Sequence, residues 1–215
     1  MNKRISPQQA AGMIKDGDVV MIGGFLGCGT PEKIIDALVA KGVKDLTLIG
    51  NDTGFPEVGI GKLVVTKQFK KIVATHIGTN KETGRQMMAG ETEVELVPQG
   101  TLAEKIRAGG YGLGGILTAT GVGTEVEKGK QVLEVDGKKY LLEKPVRANV
   151  ALIYADVADE KGNLAYRGAT RNFNPLMAAA ADLVIVEAKK VVPVGDLDPN
   201  AVIVPAAFVN YIVEG

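Results

Sequence analysis

Asp16-Gly17-Asp18-Val19-Val20-Met21-Ile22-Gly23-Gly24-Phe25-Leu26-Gly27-Cys28-Gly29-Thr30-Pro31 is the stretch that decides the fold. An acidic turn leads into four apolar residues, glycines follow at 23, 24, 27 and 29, and Thr30-Pro31 opens an amphipathic segment. The pattern predicts a buried strand, a sharp loop and a helix start with Thr30 as its cap. Glycines there permit positive φ and let a ligand approach the backbone. Free N–H groups at the following helix N-terminus favour an anionic or carbonyl oxygen. Gly23, Gly24, Phe25, Gly27, Cys28 and Gly29 are therefore candidate binding residues.

Working outward, Ser6-Pro7-Gln8-Gln9 supplies an N-cap, a proline at the first helical position and a Gln three residues after the cap, which predicts a short helix to about Lys15. Ile34, Ile35, Leu38 and Val39 recur at helical spacing up to Lys41-Gly42. A strand from Asp45 to Gly50 stops at the polar turn Asn51-Asp52-Thr53-Gly54. Further apolar pieces are expected over 64–69 and 71–75, a helix over 81–88, a half-exposed strand over 93–97, and a helix over 101–108 ended by Gly109-Gly110. Asp136-Gly137 between two apolar runs predicts a peripheral hairpin with a tight type I′ turn. Two late buried strands, 150–157 and 183–187, flank an Ala-rich helix capped by Asn174. Strands alternating with helices in this way predict an α/β protein whose mostly parallel sheet is covered on both faces, with residues 1–215 as a single domain.

Composition excludes several function classes. Lys plus Arg equals Asp plus Glu at 25 each, so no long-range field recommends nucleic acid or an anionic membrane. No apolar run approaches the about 20 residues of a membrane span, and Met1-Asn2-Lys3-Arg4 leads into a capped helix, so a cytoplasmic location is expected. One cysteine, Cys28, and one histidine, His76, leave too few soft ligands for a usual zinc site.

Gly110-Tyr111-Gly112-Leu113-Gly114-Gly115 matches a dinucleotide fingerprint, but a helix precedes it and a short apolar strand follows, the reverse of the required context. Cys28 is either a thiol activated by helix-terminal N–H groups or a small loop filler, and His76 reads as a structural hydrogen-bonding group. Arg171 could anchor a carboxylate or pyrophosphate, or stand at a helix entry. Asn51 and Gln99 each lie just beyond a predicted strand, where open α/β sheets bind ligands. Uncharged amides there can hold a carbonyl or carboxylate oxygen without shifting its protonation, or they can simply make a turn and a helix cap region.

Asp16-Gly17, the apolar triplet ending at Ile22, Gly23-Gly24-Phe25 and Gly29-Thr30-Pro31 together resemble the first signature of the family I coenzyme A transferases. Pro98 to Gly110, Thr120-Gly121-Val122-Gly123-Thr124 and Arg171-Asn172-Phe173-Asn174 extend the resemblance, specifically to α subunits that act on acetate, butyrate or acetoacetate. The resemblance implies the NagB/RpiA/CoA-transferase-like sheet, a CoA thioester as substrate and no separate cofactor. It implies double displacement: a glutamate attacks the acyl-CoA thioester, and CoA then forms a glutamyl-CoA thioester on the enzyme. That glutamate belongs to the β-type half, and Glu32, Glu57, Glu91, Glu104 and Glu125 here are all explicable as helix-start, turn or surface acids. The chain is thus expected to be one half of a hetero-oligomer, with two copies of each subunit, whose β partner brings the nucleophile. Asn51 and Gln99 correspond to residues close to the reacting acyl group, and backbone N–H groups of 23–29 are the oxyanion-hole candidates. The family often has a second Asn after the first, whereas Asp52 stands here. The corresponding chain of a 3-oxoacid transferase, such as a 3-oxoadipate type, would show much the same motifs. A sugar-phosphate isomerase-like enzyme or a non-catalytic sensor on a related sheet are the competing classes.

Overall fold

The computed structural model describes residues 3–215. In chain order, α1 (Pro7–Met13), β1 (Val19–Ile22), α2 (Glu32–Lys41), β2 (Leu46–Ile49), α3 (Ile60–Val65), β3 (Phe69–Ala74), α4 (Lys81–Met88), β4 (Glu93–Leu96) and α5 (Gln99–Gly110) build the first half. The strands β5 (Ile116–Thr118), β6 (Val132–Val135) and β7 (Lys138–Glu143) form a separate antiparallel sheet, with Asp136 and Gly137 at positive φ in the expected hairpin turn. The chain then returns through β8 (Ala148–Ala155), β9 (Val157–Asp159), β10 (Leu164–Ala165), α6 (Asn174–Ala179), β11 (Ala181–Ala188), β12 (Val191–Val192) and β13 (Tyr211–Glu214).

The main sheet has seven strands in the order β13-β11-β8-β1-β2-β3-β4, and every pairing in it is parallel. β1 is central because its neighbours on the two sides come from opposite halves of the chain. The order therefore reverses between β1 and β8, the kind of switch point at which open α/β sheets bind ligands beyond their carboxyl ends. Alternation along β1 sends Val20 and Ile22 into a core with Ile34, Ile35, Leu38 and Leu63. Met21 points to the opposite core, with Leu102, Ile106 and Met177. Both faces are thus covered, as an all-parallel sheet requires. No helix among the described residues is long and apolar enough to cross a membrane.

Local signals hold where they are self-contained. Ser6 and Gln9 form a reciprocal capping box, and Gly42 ends α2 in the left-handed conformation. Elsewhere the tertiary structure wins. Residues 64–69 are not one apolar piece, because α3 runs into Val65 and β3 begins only at Phe69. Gly109 and Gly110 lie inside α5, where a Cβ would come within 2.0 Å of the Val146 carbonyl oxygen and 2.8 Å of Ala179 Cβ. Thr30 does not cap α2. The buried Glu187 carboxylate, at the end of β11, accepts from the Ile34 N–H at 3.0 Å instead. Asn174 is the first residue of α6 and makes no cap bond there.

Candidate active site

The loop after β1 is held from three sides. Phe25 and Cys28 exchange backbone hydrogen bonds, each 2.9 Å, closing a tight turn whose tip, Leu26, has φ of 51°. From the short turn before α6, Asn172 Oδ1 accepts from the Gly24 N–H at 3.2 Å, and Asn172 Nδ2 donates to the Cys28 carbonyl at 3.0 Å. Asn174 bridges the Gly29 carbonyl and the Tyr154 N–H, at 3.0 and 2.9 Å. From the end of β2, Asp52 Oδ2 accepts from the Leu26 N–H at 3.1 Å.

These bonds sort the N–H groups of the loop. Gly23 donates to the Leu152 carbonyl, and 24, 25, 26 and 28 are committed as described. Gly27 and Gly29 carry the two backbone N–H groups of residues 23–29 that have no acceptor among the described residues. The missing Cβ atoms serve packing first. A Cβ on Gly24 would lie 2.1 Å from Thr30 Oγ1, on Gly27 2.7 Å from Val58 Cγ1, and on Gly29 2.9 Å from Thr170.

A second turn of the same build follows β2, closed by an antiparallel bridge between Phe55 and Val58. The two turns interlock, since a Cβ on Gly59 would strike Thr30 at 2.7 Å as one on Gly27 would strike Val58. Glu32 fixes the second turn to α2 by accepting from the Gly59 N–H at 3.2 Å and from Lys62 Nζ at 2.8 Å. Phe25, Leu26, Phe55 and Val58 remain exposed on the rim.

The structure brings Asn51 and Gln99 together. Gln99, the first residue of α5, donates from Nε2 to Asn51 Oδ1 at 2.7 Å, and Asn51 Nδ2 donates to Asp52 Oδ2 at 2.8 Å. Asn51 and Asp52 are buried at 2% relative exposure, whereas Gln99 opens to solvent. Thr75 donates to the Asn51 carbonyl at 2.7 Å, and Asn80 and Thr79 at the start of α4 hold the carbonyls of Thr53 and Gly54. Beside Gln99, Gly100 and Thr101 line a cavity of about 510 Å³ with Glu104, Arg107, Leu117 and Thr120. Burial and the nearby Asp156 raise the phenol of Tyr154, at the end of β8, above its ordinary range.

The other candidates lie elsewhere or act differently. Cys28 is a free, exposed thiol whose backbone, not its sulfur, is used by the loop. His76 is exposed beyond β3, where its backbone bridges to Asp52. Arg171 lines a cavity of about 350 Å³ with Asp156, Tyr166 and Leu197, and none of Asn51, Gln99 or the glycine loop reaches it. Asp52, Asn172 and Asn174 are the loop-holding positions that sequence reasoning undervalued. Their local signal, Asn or Asp before a turn or helix, is that of a cap, and only the fold aims them at residues 24–29.

Residues 4–215 match the family described as coenzyme A transferase. The chain belongs to the coenzyme A transferase family. It is 54% identical over 211 residues to the alpha subunit of the acetate CoA-transferase of Escherichia coli, covering 98% of this chain and 96% of that one. It is 52% identical over 213 residues to the acetoacetyl-CoA:acetate/butyrate CoA transferase alpha subunit of Clostridium acetobutylicum, covering 99% and 98%. Among solved structures, an acyl-CoA transferase of E. coli O157:H7, determined as a thioester complex with CoA, superposes with a TM-score of 0.88 at 22% identity. This chain is covered completely in that match but spans 47% of the longer protein. The glutaconate coenzyme A-transferase of Acidaminococcus fermentans gives a TM-score of 0.85 at 18% identity, over 99% of this chain and 75% of that one. At these identities the structural likeness speaks for the CoA-transferase fold.

Proposed function

We propose that this chain is the α subunit of a heteromeric CoA-transferase that moves CoA between a short-chain acyl-CoA and a free short-chain carboxylate, with acetyl, butyryl and acetoacetyl groups as its substrates. The observation that carries this is the end-to-end match to the E. coli and C. acetobutylicum alpha subunits. Residues 1–215 act as one domain in the cytoplasm, paired with a β-type subunit in two copies each. The β partner supplies the glutamate that becomes the glutamyl-CoA thioester.

This chain's contribution is a set of uncharged donors placed before the nucleophile arrives. Gln99 presents its remaining Nε2 hydrogen to the acyl carbonyl or the carboxylate, while Gly27 and Gly29 offer the N–H groups left free by the loop. Neutral donors stabilise a developing oxyanion without protonating it. The exposed Phe25, Leu26, Phe55 and Val58 rim the same site, and we place them in contact with the β partner.

The test is CoA exchange between acetoacetyl-CoA or butyryl-CoA and acetate, with this chain alone and then mixed with a candidate β partner. Turnover only in the mixture is expected. Turnover by this chain alone would put the nucleophile among its own glutamates. Turnover with succinyl-CoA in place of the short-chain donors would move the chain to the 3-oxoacid class. A chain of the succinyl-CoA:3-ketoacid coenzyme A transferase of Helicobacter pylori is 45% identical to it.

A further inference from the structure

Asn51 has both ends of its amide committed, and Asp52 dictates the direction. A carboxylate can only accept. Asp52 Oδ2 takes the Leu26 N–H at 3.1 Å and an Asn51 Nδ2 hydrogen at 2.8 Å, while Oδ1 takes the Gly54 N–H at 2.8 Å. Asn51 must therefore turn its NH₂ group to Asp52, which leaves its Oδ1 facing Gln99. Gln99 must in turn present its own NH₂ group there, as it does at 2.7 Å. Asp52 is buried and has no ion pair among the described residues, so three N–H dipoles stand where a cation would.

We propose that Asp52 is a positioning residue for the transfer site. Through one acceptor-only side chain it sets the polarity of the Asn51–Gln99 relay and fixes the tip of the glycine loop relative to it. Free donors on the loop and the free edge of the Gln99 amide are then held as one unit. The consequence for turnover rests on the transferase assignment above, whereas the hydrogen-bond consequence does not.

Asp52→Asn keeps the shape and removes the logic. Its single amide oxygen can face either Gly54 or the pair Leu26 and Asn51, and each orientation sets an NH₂ group against another donor. Hydrogen exchange of this chain with Asp52→Asn should be faster at the Leu26 and Gly54 amides and unchanged in β1 and β8. In the complex with the β partner, kcat should fall about tenfold to a hundredfold, with a smaller change in KM. That loss should shrink in a Gln99→Ala background, because both changes interrupt one relay. A purely structural Asp52 would give the same factor in both backgrounds.

A second pair of variants needs no turnover. Gln99→Glu puts an acceptor against Asn51 Oδ1, but with Asp52→Asn the relay can run backwards through a flipped Asn51. The Tm losses of the two single variants should therefore exceed that of the double variant when summed. Wild-type exchange at Leu26 in Asp52→Asn, equal kcat factors in both backgrounds, or additive Tm losses would each overturn the proposal. An inactive wild-type complex would overturn the transferase assignment and leave the exchange and Tm measurements to decide on Asp52.

Discussion

Burial raises the Glu187 carboxyl above the ordinary glutamate range, although the Ile34 N–H donates to it. The folded chain thus binds this proton more tightly than the unfolded chain does. Its stabilising contribution is full in acid, below the unfolded pKa, and is lost as the pH rises through the folded value. Glu187→Gln keeps an oxygen for Ile34 and discards the buried charge. Its Tm should exceed wild type at neutral pH and converge with it on acidification; a gap that does not change with pH would refute this. Gly23→Ala places a Cβ 1.8 Å from Asn174 Oδ1, the atom that accepts from Tyr154, and should cost about 1–3 kcal/mol in urea unfolding. Gln99→Ala should lower kcat about a hundredfold while leaving assembly with the β partner intact, since its side chain bonds only Asn51. Unchanged turnover would remove Gln99 from the site. The placement of Asn51 and Gln99 at the carboxyl edge of the sheet was legible in the sequence because both residues follow strands, whereas their bond to each other was not. The bond from the Leu26 N–H to Asp52 was not legible either, because Leu26 is far away in the chain and meets Asp52 only across the sheet's edge.

At the scale of elements, the small sheet is tied to α5 by charge. Glu143 at the end of β7 is buried between Lys105, at 3.2 Å, and Lys130. Glu143→Ala would leave Lys105 buried and unpaired, and should cost about 3–5 kcal/mol. Lys130→Ala should cost far less, because its side chain is partly exposed and Lys105 still pairs with Glu143. Chemical denaturation of the two variants checks the ordering. Elements announced by local chemistry were legible beforehand: the Ser6 box, Gly42 at the end of α2, the Asp136-Gly137 hairpin and α4. Elements decided by distant atoms were not. α3 is a six-residue helix whose apolar run is too short to declare a period, and only the neighbouring Val146 and Ala179 explain why α5 continues through two glycines. Replacement of the Thr30 cap by Glu187 is the same lesson, since 153 residues separate Glu187 from the N–H it accepts.

For the whole molecule, one edge of an all-parallel sheet collects the glycine loop, the amide relay and the apolar rim. Phe55→Ser should weaken association with the β partner, read by sedimentation of the mixture, while this chain's own melting changes little because Phe55 is exposed. Undiminished association would move the partner off that rim. The pair of interlocked turns carries one more implication. Because Gly27 rests on Val58 and Gly59 on Thr30, neither turn has room to drift alone, and a residue inserted into one must be answered in the other. Substitutions that reshape the proposed acyl site should then be inherited as couples drawn from 23–30 and 53–60. A combinatorial library aimed at new acids would find more active members by randomising both turns together than by exhausting either one.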